Sequence, residues 1–254
     1  MLHKLLITFL ATYCFSTLHA QKFPEHSEPD EPRNKGKAIL LQLSFAGHLP
    51  AGDLADRFGQ NLAFGGGVEY ITANNWIFGL EGHSLFGSKV KEDPLEIIRT
   101  DQGDIIGSDQ LLASVVLRQR GLYVGAVGGK LLTFSDQRSG IRLTLSAGML
   151  RHRIRIQDDT RTVTQIRGDY LKGYDRLTSG VALQQFIGWQ HLGAQRRSNW
   201  MLGFEFNQGF THSLRDWDFS AMRKLDGSRL DLRFGIRAAW ALPFYQKKAS
   251  EIFY

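Results

Sequence analysis

From residue 38 onward, apolar side chains recur at every second position. Ile39, Leu41, Leu43 and Phe45 alternate with Leu40, Gln42, Ser44 and Ala46. The same period runs through 61–72, 76–86, 141–149, 181–189, 200–207 and 230–242. A period of two sends successive side chains to opposite faces, so each segment predicts a β-strand. The segment 119–132 is also strand-like, with a less clear phase. That gives eight strands. Their connections alternate in length: 73–75, 135–139 and 193–199 are short, whereas 49–60, 87–118, 157–176 and 211–228 are long. Long loops at one end and short turns at the other predict an all-β, eight-stranded antiparallel up-and-down transmembrane barrel, with periplasmic turns and extracellular loops. The run from Ile141 to Met149 matches the roughly 9–11 residues that a tilted strand needs to cross an apolar layer.

If the apolar set faces lipid, the alternate set fills the lumen. It contains Glu69, Glu81, His83, Arg142, Glu205, Asp231, Arg233 and Arg237, separated by glycines and small residues. Eight strands leave an interior just wide enough for side chains. Isolated charge is prohibitive there, so these groups are expected to pair as an ionic plug in a non-conducting lumen. Tyr70, Trp76, Trp189, Trp200, Trp240, Phe244 and Tyr245 sit near strand ends, where aromatic girdles form. The lipid-facing row of the fifth strand continues past Met149 as Arg151, Arg153 and Arg155, and the fourth strand enters from the same side through Arg118 and Arg120. Arginine binds phosphate bidentately, so these five predict a basic rim that grips lipopolysaccharide phosphates.

Composition narrows the class. Of 254 residues, 31 are Lys or Arg and 25 Asp or Glu, a net charge of +6. The single cysteine, Cys14, excludes a disulfide scaffold and any multi-cysteine zinc site. No apolar run is long enough for a spanning helix. Lys4 followed by Leu5–Ala11 and then small or polar residues up to Ala20 reads as a signal peptide over 1–20. A lipoprotein acylated on Cys14 is the rival, disfavoured by Tyr13. Residues 21–36, rich in Pro, Glu, Asp and Lys, read as a disordered periplasmic leader. The barrel takes 37–245, and 246–254 form a short periplasmic tail. Basic charge on an exported barrel without an aromatic–basic groove does not point to nucleic acid.

These features resemble bacterial eight-stranded outer-membrane barrels of the OmpA/OmpW/PorT-like kind. The resemblance covers 37–245 and rests on architecture. The last strand, Arg233-Phe234-Gly235-Ile236-Arg237-Ala238-Ala239-Trp240, is similar to the signal read by the barrel-assembly machinery, although the chain continues to Tyr254. No peptidoglycan-binding domain is expected after residue 245. The resemblance implies an integral outer-membrane protein with a structural or accessory role in envelope assembly or protein export. Its partners would be outer-membrane lipid and lipopolysaccharide, the assembly machinery, and envelope or secretion proteins. No cofactor, metal or catalytic residue is expected. The main alternatives are a lipid A deacylase or acyltransferase and a soluble lipocalin-like binding barrel. An acylase needs a serine beside a histidine. His83-Ser84 and His212-Ser213 are the candidates, but neighbours on a strand point to opposite faces. Asp158-Asp159 and Asp216/Asp218 in long loops are candidate calcium ligands, outweighed by their reading as solvated loop acids.

Overall fold

The computed structural model describes residue 34 and residues 36–134, 138–193 and 198–245. In chain order the strands are β1 (Ala38–Gly52), β2 (Asn61–Ile71), β3 (Trp76–Gly87), β4 (Ile105–Ile106), β5 (Leu112–Ala113), β6 (Val115–Thr133), β7 (Arg138–Asp158), β8 (Thr178–Leu192), β9 (Asn199–Ser213) and β10 (Ser228–Tyr245). Eight of them close into an antiparallel up-and-down barrel, in which β1 pairs with both β2 and β10. β4 and β5 pair only with each other, in the connection between β3 and β6. A short helix, α1 (Asp53–Arg57), follows β1. The turn between β2 and β3 is tight because Asn75 takes a left-handed conformation (φ 63°) that asparagine tolerates.

The two faces of the wall are chemically opposite. Leu41, Leu43, Phe45, Phe64, Val68, Phe78, Leu80, Val124, Leu145, Ile187, Phe204 and Ile236 point outward and are exposed. Gln42, Ser44, Glu69, Glu81, Arg142, Ser146, Gln184, Glu205 and Arg237 point inward and are buried. A water-soluble barrel of the lipocalin kind needs the reverse, so that alternative falls.

The interior is layered along the barrel axis. At the turn end, Ala38, Leu40, Ile71, Ile77, Leu131 and Leu192 form an apolar stopper. The middle mixes the polar groups with apolar clusters around Tyr123 and Leu150 and around Phe186 and Met201. At the loop end, Leu54 and Phe58, from α1 and the residue after it, pack on Ile154 at the mouth. Gly52 makes this possible: at φ 56° the chain bends out of β1 into α1, and a Cβ there would lie 2.5 Å from the Leu230 carbonyl oxygen.

Several elements exceed the sequence-based expectation. β6 and β7 have 19 and 21 residues, about twice what a membrane crossing requires. Their surplus length stands at the loop end, where Leu95, Ile105, Val163, Ile166 and Tyr174 form a second apolar core against Val115, Leu117 and Ile156. The long loops are therefore a folded cap. The phase of the fourth barrel strand is also settled: Gln119, Tyr123, Val127 and Leu131 are buried, while Leu122 and Val124 are exposed. The aromatic residues gather at one rim, the turn end, with Trp200 opposite Trp240. Tyr245 departs from that ring by packing against the apolar stopper. The expected signal peptide (1–20), most of the leader (21–36) and the tail (246–254) lie outside the described residues.

Candidate functional site

The eight luminal residues singled out from the sequence are all buried, and the fold sorts them into separate groups. Near the turn end, Arg142 donates to Glu69 at 2.5 Å and to Gln190 at 2.9 Å, while Gln42 donates to the other Glu69 oxygen at 2.6 Å. In the middle, Arg237 bridges Glu81 at 3.0 Å and Glu205 at 3.1 Å and lies over the Phe186 ring. Glu205 is completed by His48 and by Asn207, each at 2.8 Å, and Glu81 accepts from Gln184 at 3.2 Å. Nearer the loops, Asp231 meets His152 at 2.8 Å and accepts from Thr211 at 2.5 Å. His83 stacks on Tyr123, whose hydroxyl meets Ser146 at 2.7 Å. Arg233 is fully enclosed, yet its Nε and Nη1 have no hydrogen-bond partner among the described residues.

Sequence reading missed His48, His152, Gln42, Gln184, Gln190 and Asn207. The signal was present for all six, since inward parity already marks Gln42, Gln184 and Asn207 and extends to Gln190. His48 continues the inward parity of Gln42, Ser44 and Ala46, and His152 that of Arg142, Thr144 and Ser146.

A second ionic cluster locks the cap. Glu92 lies between Arg57 and Arg176, 2.6 Å from each. Arg176 also pairs with Asp218 and donates to Ser220 at 2.6 Å. Arg215 grips Asp175 with two nitrogens, at 2.8 and 2.5 Å. Burial alone would raise the Glu92 carboxyl, but Arg57 and Arg176 outweigh it and hold the group below the usual carboxylate range.

On the outer wall, the five arginines at the loop end form one patch. Arg118 is directly opposite Arg155, Arg120 opposite Arg153, and Arg151 opposite Leu122. Like charges facing each other across a strand pair repel. Asp175 lies 3.9 Å from Arg153, and no other carboxylate comes within ion-pair distance of the five among the described residues. Arg120 lies over the Phe86 ring at 5.4 Å.

Other candidates take different places. His83 is buried in the lumen and Ser84 is half-buried; His212 is exposed and Ser213 half-buried. A Ser–His contact absent from the sequence reading does form: Ser139 Oγ lies 2.7 Å from His191 Nδ1 across β7 and β8. No carboxylate completes it among the described residues. The Asp158 carboxylate is taken up by Thr160 and the backbone of Arg161 and Val163, and that of Asp218 by Arg176, Ser220 and Ala221. Asp159 accepts from Gln157 at 2.8 Å.

The decisive geometry is the inverted polarity of a closed sheet. Lipid offers no hydrogen bonds to a backbone, and a barrel whose strands all pair needs none. An exposed apolar wall around a charged, largely paired interior is stable only in a membrane. The chain is a transmembrane β-barrel of the outer-membrane type. The outer membrane is its place, with the short turns at one end of the barrel and the cap at the other.

The chain is similar to several solved structures. Neisserial surface protein A shares 11% identity over 82% of this chain and 99% of its own, with a TM-score of 0.43. OprG from Pseudomonas aeruginosa shares 10% over 84% and 97%, at 0.39. Ail of Yersinia pestis, solved in complex with the heparin analogue sucrose octasulfate, shares 12% over 81% and 99%, at 0.35. No protein-family model matches the chain, and no curated protein sequence does.

Proposed function

We propose that this barrel is a non-conducting accessory of the envelope: it anchors in the outer leaflet by gripping lipopolysaccharide phosphates and offers its folded cap to envelope or export proteins. The carrying observation is the patch of Arg118, Arg120, Arg151, Arg153 and Arg155, where two arginine pairs face each other with almost no acidic partner. Such an arrangement is relieved by an external anion, and guanidinium groups bind phosphate with two parallel hydrogen bonds. A groove of about 1050 Å³ on the wall supports the lipid reading. Arg118 and Arg120 stand at one side, Leu62, Phe86, Phe234 and Ile236 line it, and Gly47 and Gly235 contribute bare backbone. Its chemistry suits a lipid with a phosphate head and acyl tails.

The cap supplies the partner surface. Ile106, Leu111 and Leu112 on the β4–β5 hairpin are exposed at 54–69%, and Tyr170 and Met222 are similarly bare. Apolar groups on loops that stand above the membrane suit protein contacts. During biogenesis β10 serves as the strand read by the assembly machinery.

The test is extraction of the native protein in mild detergent, followed by analysis of what accompanies it. Arg151→Ser with Arg153→Ser should lower co-purified lipopolysaccharide while leaving bound envelope proteins in place. Unchanged lipid content rejects the rim.

A further inference from the structure

Just inside the loop end of the lumen, one arc of the inner wall has polar atoms with nothing to bond. It runs across five adjacent strands. His48 on β1 faces Asn61 on β2 on one side and Gly235 on β10 on the other. Arg233 is the next inward residue of β10, opposite Pro50. Gly87 on β3 faces Gln119 on β6. His48, Asn61, Gln119 and Arg233 are each at most 3% exposed. Seven of their atoms have no hydrogen-bond partner among the described residues: His48 Nδ1, both amide atoms of Asn61, both amide atoms of Gln119, and Nε and Nη1 of Arg233.

A buried amide without partners, and above all a buried guanidinium, costs free energy that a native structure does not leave uncompensated. The nearby carboxylates already have partners, although Glu205 Oε2 makes only the 3.1 Å ion contact with Arg237 and no hydrogen bond. Glu205 holds His48, Asn207 and Arg237, and Asp231 holds His152, Thr211 and Arg229. The arc also contains a cradle. A Cβ on Gly87 would stand 2.8 Å from Gln119 Oε1 and 3.4 Å from the Asn61 Cβ, so the space between the two amides stays open only because residue 87 has no side chain. Leu54 and Phe58 of the mouth plug separate this layer from the outside.

We propose that this arc is an internal site for a small inorganic anion, held by the unpaired donors of Arg233, with its residual water shell bonded to Asn61, Gln119 and His48. The anion supplies the acceptor that Arg233 lacks, and waters supply donors to the amide oxygens. The site is buried beneath α1, so exchange with the medium requires the plug to lift at the Gly52 bend. His48, Asn61, Gly87 and Gly235 also border the wall groove beside Arg118 and Arg120, but the unpaired side-chain atoms of the arc are buried, so the anion does not depend on lipid bound to the rim.

Bromide is a suitable probe. The full-length protein in detergent is unfolded thermally in sodium bromide and in sodium gluconate at equal ionic strength, and crystals grown in bromide are measured at its absorption edge. A ligand bound only by the folded state raises the midpoint and saturates. The wild type should show a saturable bromide-dependent rise and an anomalous peak against Arg233. Arg233→Gln should lose both, and Arg151→Ser with Arg153→Ser should keep both. Gln119→Leu, which retains the arginine, should weaken bromide binding about tenfold, the scale of losing one hydrogen bond in an enclosed site; it also serves if Arg233→Gln does not fold. Identical midpoints in the two salts, an equal shift in Arg233→Gln, or waters alone in the arc would each overturn the assignment.

Discussion

Arg142 and Glu69 lie 73 positions apart and meet at 2.5 Å, with essentially no exposure to solvent. Removing one member of such a pair leaves a charge stranded in a low-dielectric interior. Arg142→Met should therefore destabilise the barrel by about 3–5 kcal/mol, whereas Arg142→Met with Glu69→Gln should recover much of the loss. Reversible urea unfolding in detergent micelles, followed by tryptophan fluorescence, measures both. If the double variant is as unstable as the single one, the cost lies in lost packing. The inward parity of Arg142 and Glu69 was legible in the alternating pattern. Their partnership was not, because it depends on the tilt and stagger of strands closing across the lumen. Local sequence carries no record of that geometry. Likewise parity groups Asp231 with the luminal arginines, yet its partners are His152, Thr211 and Arg229, none of them in that set.

At the scale of elements, the period located every barrel strand, since a half-buried sheet forces a strict period on its residues, but not the loop-end surplus of β6 and β7. It did not locate the cap. Residues 87–118 and 157–176 lack periodicity, and their order comes from a shared core of Leu95, Ile105, Val163, Ile166 and Tyr174 together with the Arg57–Glu92–Arg176 cluster. That cluster sets a pH dependence. The Glu92 carboxyl is depressed in the folded protein, so its stabilising contribution is complete above the ordinary glutamate pKa of about 4.3 and disappears as pH falls through the lower folded value. The cap should keep constant protease resistance from pH 8 to pH 5 and loosen only below about pH 4. Glu92→Gln should loosen it at neutral pH and flatten that acid response. Limited proteolysis of the loops in intact proteoliposomes reads both effects, and an acid response that persists in Glu92→Gln would assign it to other carboxylates.

For the whole molecule, the order of the layers determines transport. An ion entering from the cap side meets Leu54 and Phe58 first, then a lumen crossed by Arg237 bonded to Glu81 and Glu205, then Arg142 bonded to Glu69. Beyond these lies the stopper of Leu40, Ile71, Ile77, Leu131 and Leu192, which offers no group to replace lost hydration. Two apolar layers in series with a largely paired interior support the proposed non-conducting lumen. Planar bilayers containing the wild-type protein should therefore show no unitary current steps in molar salt. Removing the upper barrier alone, with Phe58→Ala and Leu54→Ala, should not create steps, because the stopper at the turn end remains. Adding Leu40→Ser and Leu131→Ser to those changes should produce small, noisy conductance. Steady unitary openings in the wild type would mean that the apolar layers part spontaneously, and the barrel would then be a channel rather than a plugged anchor.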